Sequence, residues 1–552
     1  MRPSTRRISV TSKRIGWAIS LCAFLWLNVF VLSLIVHGHF YQPPRENPWT
    51  SVVEEEPSAA PFHDWNERIH FECYRANAFV RIGEAGTDEQ FINNYAHLSF
   101  NFGPTLLSWL ERYHAYTYAR ILEADRDSAL MRHGHGNAIA QAFGHAILPL
   151  CNERDLQTQI RWGLADFRFR FGRNAEAMWL PETACNDRVM SALIDEGLRY
   201  VILAPHQAHR VRSGSTDEMN EAGKMPANRP QDAGAPIDTS VPYRWFNPNN
   251  ATKSIAVFFY EGHTSRAIAF EKLLSSSREL VDAFARSVNG SGMLNIATDG
   301  ETYGHHFKFG DLCLAHALTE EAPSSGFQIT NYGEYLERHP PAVEVEINNG
   351  PNGEGTSWSC VHGVGRWIRD CGCQTGGEPD WSQEWRTPLR AALDFLRDEN
   401  IPHFEATRND LFTFPWVARD ESISLILDQT ASREEFLFAH AGRWLSADQQ
   451  TRALTYLELQ RMLLLMYTSC GWFFNDISGI ETIQILKYAA RAIDLMDQLG
   501  LPHARERFLE ILSEAKSNRP EMGTGADIFR RIVEPSNPNL QKGEVATEAV
   551  AG

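Results

Sequence analysis

The sequence has no excess of positive charge, no dense cysteine framework, no internal repeat and no low-complexity tract, and each absence removes a class of function. Across 552 residues, 52 Lys and Arg stand against 69 Asp and Glu, a formal net charge of −17. Such a chain has no field that would hold a polyanion by releasing its counterions, so nucleic acid is not an expected partner. The nine cysteines, at 22, 73, 151, 185, 313, 360, 371, 373 and 470, are an odd number spread thinly, unlike the paired framework of a small secreted scaffold. A reducing compartment such as the cytoplasm, or a local metal site, suits them better. Also missing are a glycine-rich phosphate loop, a GxSxG elbow and an HExxH helix, which leaves nucleotide, serine-hydrolase and zincin chemistry without a motif. What remains is 43% hydrophobic and 22% charged, enough apolar material for two or three packed domains and far from the fibrous classes. The 15 Trp, 15 Tyr and 31 Phe supply flat apolar faces that suit a neutral, hydroxyl-rich ligand such as a sugar.

One long apolar run is present. Arg2, Arg6, Arg7, Lys13 and Arg14 precede IGWAISLCAFLWLNVFVLSLIV at 15–36, which by composition reads as a signal anchor or signal peptide. The run passes without a linker into HGHFYQPPRENPW at 37–49, and SLIVHGHF has the look of a buried parallel strand with a polar end. The same residues cannot be both. If Ser33 to Phe40 is a strand, the apolar remainder is barely a span by the usual requirement of about 20 residues. The expectation is therefore a non-domain extension over residues 1–30, with membrane anchoring through residues 15–36 as the alternative.

From residue 31 to 340, short apolar runs alternate with amphipathic stretches: HLSFNF at 97–102, AMWLPE at 177–182, YVILAP at 200–205, SIAVFFYEG at 254–262 and MLNIATDGE at 293–301. Repeated strand-then-helix patterns predict a parallel α/β barrel or a doubly wound sheet, with the polar and acidic residues at the carboxyl ends of the strands. The stretch 208–243 reads as a long rim loop. A Cys- and Trp-rich loop region spans 341–390. Apolar residues at three and four spacing then predict a helical domain over 391–535, and residues 536–552 read as a polar tail.

Two carboxylates stand at strand ends. Glu182 follows the apolar run of MWLPETAC and Pro181, and Asp299 ends the run of NIATDGETYGHH. Carboxylates on separate strands of one barrel can be held at the spacing a retaining glycosidase needs for a nucleophile and its acid/base partner; either, taken alone, reads more readily as a turn or cap. Histidines cluster at the same edges. His37 and His39 alternate to one strand face, His305 and His306 follow the DGE turn, and His145 lies in AFGHAILPL. They fit a metal pair or a hydrogen-bonding wall for hydroxyls, to which Glu301 would add. Cys360, His362, Cys371 and Cys373 lie within 14 positions in SWSCVHGVGRWIRDCGC. Three readings stay open for them: a metal site with cramped one-residue gaps, a disulfide, or unligated cysteines beside a substrate wall of Trp358, His362, Arg366 and Trp367.

In order and interval, HGHFYQPPRENPW, AFGHAILPL, MWLPETAC and TDGETYGHH resemble the successive signature regions of glycoside hydrolase family 57. SFNFGPTLLSWLE, TSWSCVHGVGRW and YTSCGWFFNDISGIE resemble its α-amylase/α-mannosidase-like bacterial branch. The resemblance covers about 37–490. It implies an incomplete seven-stranded (β/α) barrel, a helical domain closing over the cleft, retaining chemistry on α-linked oligo- or polysaccharides, and no cofactor. It implies Glu182 as nucleophile, Asp299 as acid/base, His39 and His145 as sugar contacts and Trp179 as a cleft aromatic. FYQPPRENPW departs from the amylase-type pattern after the first histidine motif. Two other readings compete: a metal-dependent amidohydrolase or polysaccharide deacetylase using His37, His39, His305 or His306 with Asp299, and a non-catalytic glycan-binding protein.

Overall fold

A computed structural model describes residues 32–82, 90–213, 237–288 and 292–538. The run that ends in HGHF forms a strand, β1 (Leu32–Phe40), buried along almost its whole length. Its composition explains this: a continuous branched apolar run satisfies a strand covered on both faces. Leu34, Val36 and Phe40 join the large apolar cluster outside the strands, whereas Ile35 faces a separate inner cluster with Trp179, Tyr200, Phe258 and Ala297. His37 and His39 share the inward face of Ile35 by the two-residue period. The last five residues of the apolar run 15–36 thus belong to a buried strand; the remainder of that run lies outside the described residues. No described helix is long and apolar enough to cross a membrane.

Six more parallel strands carry the layer onward, β2 (Ser99–Phe102), β3 (Ala140–Gln141), β4 (Met178–Trp179), β5 (Tyr200–Leu203), β6 (Asn250–Phe259) and β7 (Met293–Asp299), and a further short one, Phe327–Ile329, pairs parallel with the start of β1. β1 pairs with β7 on one side and β2 on the other. Parallel bridges carry the sequence onward from Phe100 to Ala138, from β3 to β4, from Ala177 to Tyr200, and from β5 to β6. The remaining seam, between β6 and β7, holds one backbone bond from the Glu261 amide to the Asn295 carbonyl (2.7 Å) and one from the Asn295 amide side chain to the Phe259 carbonyl (3.1 Å). This is a barrel-like β/α layer, with Tyr332 filling its lower end against Phe258 and donating to Asn295 Oδ1. Helices cover the outside, among them Glu153–Phe171, capped by the Asn152 side chain at its start and by left-handed Gly172 at its end.

The stretch 208–243, expected as a rim loop, is strand at both of its ends. Ala208–Ser213 pairs antiparallel with Val343–Ile347, and Tyr243–Asn247 pairs with β6 and with the start of Val343–Ile347, making a five-stranded sheet. The charged Arg and Glu side chains along Ala208–Ser213 and Val343–Ile347 hide the strand signal, and the pairing partner is more than a hundred residues away. Residues 214–236 lie outside the described residues. From Arg386–Glu405 onward the chain is helical, with Ala447–Leu465 and Ile480–Gln498 as the longest later helices. Its core includes Leu389, Leu393, Leu463 and Leu486, and reaches into the barrel loops through Phe143, Ala146 and Ala184.

Candidate active site

Strand register assembles the site. His39 lies opposite Asn101 of β2 and opposite Asp299 of β7, and Gln141 lies opposite Trp179 across β3 and β4. One row across neighbouring strand ends therefore carries Trp179, Gln141, Asn101, His39 and Asp299. Asn101 joins them: His37 Nε2 donates to its Oδ1 (3.1 Å), and its Nδ2 donates to His39 Nδ1 (2.9 Å) and to Gln141 Oε1 (2.6 Å). The Ser99 hydroxyl donates to His37 Nδ1 (3.0 Å). This pattern leaves His39 a neutral ring with its Nε2–H uncommitted. Burial drives both rings the same way, lowering each from 6.5 to about 3. Both nitrogens of His37 are thus occupied, which removes it from the His37–His39 metal pair of the deacetylase reading. Among the described residues, no cluster with metal-ligating geometry includes His37, His39, His305, His306 or Asp299.

Above this row the aromatic rings stack. Trp179 lies against His37 (4.7 Å) and His39 (5.2 Å), His39 against His145 (5.4 Å), and His145 against Tyr41 (3.7 Å). His145 has a left-handed backbone, φ 52°, and its Nδ1 meets Ser469 Oγ at 2.6 Å. The Ser469 amide donates to the His145 carbonyl (3.0 Å), so the helical part of the chain fixes a ring of the barrel part.

Glu182 sits in a turn after β4 with φ 59° and ψ 22°, and Thr183 also has positive φ. Non-glycine residues enter this region at a cost and remain there only where surroundings over-determine them. Here they do. The Trp358 amide donates to the Glu182 carbonyl (3.0 Å), Cys185 and Thr356 exchange two backbone bonds, and Gln207 bonds both the Thr183 hydroxyl and its carbonyl. The Glu182 carboxylate accepts from Trp358 Nε1 (3.1 Å) and Ser359 Oγ (2.5 Å), both on Oε2. Burial raises the Glu182 pKa, against the pull of these donors and of the positive Arg366.

Asp299 ends β7 as an exposed residue. Desolvation by the surrounding walls, followed by the negative charge of Glu182, pushes it up from 3.8 to about 7. Two carboxyls in mutual electrostatic reach therefore differ: one is hydrogen-bonded as a carboxylate and one is biased toward its acid. Gly300 has a packing reason, since a Cβ there would meet the Phe40 ring at 2.3 Å.

Several residues expected at a substrate wall stand elsewhere. Glu301 is buried, its Oε1 accepting from the Tyr74 hydroxyl (2.6 Å) and the Tyr41 amide (3.0 Å), so it anchors Tyr41 instead of meeting a ligand hydroxyl. Burial raises it to about 8. His305 pairs with Glu72 and packs edge-on to Trp65, and His306 is exposed beside it; among the described contacts, neither reaches Glu182, Asp299 or His39. Arg366 is buried over the Phe473 ring, with a bond to the Phe473 carbonyl (3.3 Å). Trp367 is buried with its Nε1 on the Ser469 carbonyl. His362 lies with the cysteines, its Nδ1 3.5 Å from Cys373 Sγ. Trp358 alone of that segment joins the ring stack, edge-on to Trp179 at 5.1 Å. Tyr41, Asn101, Gln141, Ser359 and Ser469 were not singled out from the sequence. The first two were accessible to it: Tyr41 continues the alternation of His37 and His39, and in SFNF the polar Ser99 and Asn101 alternate with outward Phe100 and Phe102.

The comparisons with known proteins can now be set beside this geometry. A family model described as glycosyl hydrolase family 57 matches residues 34–348, and one described as a domain of unknown function, DUF3536, matches residues 381–550. No curated protein matches the chain. Among solved structures, the exo-type maltose-forming amylase from Pyrococcus sp. ST04 is similar with a TM-score of 0.62 at 15% identity, over 87% of this chain and 82% of that one, which shows a shared fold. The 4-alpha-glucanotransferase from Thermococcus litoralis is similar at a TM-score of 0.48 and 14% identity, over 85% and 60% of the two chains. The GH57-type branching enzyme from Pyrococcus horikoshii is similar at 0.47 and 15%, over 88% and 89%. The family match spans more than half of the sequence, and the chain is accordingly a glycoside hydrolase that belongs to glycosyl hydrolase family 57.

Proposed function

We propose that the chain is a retaining enzyme of α-linked glucans, a hydrolase when water is the acceptor and a transglycosylase when a sugar hydroxyl is. The observation that carries this reading is the contrast between the two carboxyls: Glu182 held by two donors and a nearby Arg366 charge, Asp299 raised to about 7. That split suits a nucleophile and an acid/base. Glu182 attacks the anomeric carbon while Asp299 gives its proton to the departing glycosidic oxygen. The proton transfer leaves Asp299 ionised, and it then takes a proton from the incoming hydroxyl as that oxygen displaces Glu182. The neutral His39 offers its Nε2–H to a substrate oxygen, and the Trp179, His145 and Tyr41 rings give the sugar a stacked wall. The shared fold with an exo-type maltose-forming amylase supports the substrate class.

In this reading the seven strands are an incomplete barrel, open at the thin β6–β7 seam. Residues 32–347 form the catalytic domain, 348–385 the loop region and 386–535 the helical domain.

The test uses azide with an activated α-glucosyl or maltosyl substrate. Glu182→Ala rescued to the β-glycosyl azide and Asp299→Ala rescued to the α-glycosyl azide is the expected pair of products. Wild-type turnover by Glu182→Ala on a glucan that the native enzyme cleaves ends the assignment.

A further inference from the structure

The four residues left open by the sequence converge. Cys360 Sγ lies 3.8 Å from Cys371 Sγ and 3.7 Å from Cys373 Sγ, and Cys373 Sγ lies 3.5 Å from His362 Nδ1. All four ligand atoms lie within 4.8 Å of one another. A zinc ion with bonds of about 2.3 Å to sulfur and about 2.0–2.1 Å to nitrogen, in a tetrahedron, requires sulfurs about 3.8 Å apart and sulfur to nitrogen about 3.6 Å. The separations match on all three edges. They do not match a disulfide, whose sulfurs are about 2.05 Å apart, and every one of these cysteines is free.

The chain is shaped for this convergence. Gly372, between Cys371 and Cys373, has φ +78°, and Gly363, directly after His362, also has φ +78°; these left-handed turns are cheap only for glycine. They relieve the one-residue gaps that look cramped in sequence. His362 is exposed, and Cys371 and Cys373 are half-buried, so apolar burial alone gives little reason for four metal-binding side chains to face a common point. Three thiolates, a neutral imidazole and Zn²⁺ would sum to one negative charge. Arg366, Arg369 and Arg386 lie within electrostatic reach of the cysteines, and Arg386 also donates to the Cys373 carbonyl (3.4 Å).

We propose that Cys360, His362, Cys371 and Cys373 bind a structural zinc ion, releasing three thiol protons as they do so, and that this ion clamps the segment bearing Trp358 and Ser359 onto the Glu182 turn. The clamp has no open position for substrate, since four protein ligands complete the tetrahedron. Its effect on catalysis rests on the role proposed for Glu182; the metal site itself does not. Cys360 is the residue after Ser359, and the two donors to Glu182 come from the strap that the ion would hold.

The experiment is metal analysis of the full-length chain after dialysis against a mild chelator, together with cobalt substitution. One zinc per chain is expected, with thiolate-to-cobalt charge transfer and tetrahedral d–d bands in the cobalt form. Loss of zinc is expected in Cys371→Ser, and all three thiols of the native protein should resist alkylation until a strong chelator is added. Protein that carries no zinc and reacts at Cys360, Cys371 and Cys373 without a chelator overturns the proposal, as does a disulfide among them by mass spectrometry or iron in the place of zinc. If Cys371→Ser does not fold, the alkylation and cobalt measurements on the native chain still decide. Full zinc with no turnover of any α-glucan counts against the proposed function and leaves the metal site standing. A folded, zinc-free Cys371→Ser enzyme with unchanged kcat overturns the clamp on Glu182.

Discussion

Replacing Ser359 by Ala isolates the electrostatic support of Glu182. The Ser359 hydroxyl donates to Oε2 at 2.5 Å, and the Trp358 indole shares the same oxygen at 3.1 Å. A hydrogen bond to a charged group contributes about 1.5–3 kcal/mol, which corresponds to about ten- to 150-fold in rate if it is fully expressed in the transition state. Two features of the site favour the lower end. The indole donor remains, and a donor on a nucleophile also quiets it, so its loss is partly offset. The expected result for Ser359→Ala is about a tenfold fall in kcat/KM on an α-glucan that the native enzyme turns over. Sign follows from the charge: the lost donor stabilised the carboxylate, so the Glu182 pKa rises further and the acid limb of kcat/KM moves to higher pH. Trp358→Phe keeps the ring but removes the other donor, and should move the limb in the same direction. A Ser359→Ala enzyme with kcat/KM within about twofold of native and an unmoved acid limb would refute the support assigned to this bond.

Asp299 acts first as an acid, so activity should fall as pH rises through about 7, the value to which burial and Glu182 push it; Asp299→Asn should remove that limb along with nearly all turnover on unactivated glucans, read from the pH profile of kcat/KM. Glu301 moves from 4.5 to about 8 on folding, so its contribution to stability is full below 4.5 and is lost as pH rises through about 8. Glu301→Gln keeps an acceptor for Tyr41 and Tyr74 and should flatten the decline of Tm between these limits; an unchanged slope contradicts the assignment. Leu389 is fully buried in the helical core, and Leu389→Ala should cost about 2–5 kcal/mol in chemical denaturation if that core folds as one unit.

Much of the catalytic layer was legible because its signals are local. SLIVHGHF reads as a buried strand, and the strand occupies Leu32–Phe40. The helices over 386–405, 447–465 and 480–498 follow apolar residues at helical spacing. Glu182 and Asp299 could be singled out because each follows an apolar run at the edge where a β/α fold keeps its chemistry. The strands at 208–213 and 243–247 were not legible: charged residues line the first, whose partner Val343–Ile347 is far along the chain, and the second pairs with β6 and with the start of Val343–Ile347.

By itself, then, the sequence determined the strand and helix periods, the two carboxyls at strand ends and the family pattern, all of which depend on neighbours a few residues apart. Tertiary structure alone decided what each polar group touches. Glu301, two residues from Asp299, turned inward to Tyr74, while Ser359, without any motif of its own, came within 2.5 Å of Glu182 from 177 positions away. It also decided the fate of the cysteines, whose one-residue gaps look unfavourable until left-handed glycines bring four ligand atoms to one point. Spacing along a chain constrains only the local path of the backbone, whereas ligand and hydrogen-bond geometry depends on distances across segments that only the packed fold sets.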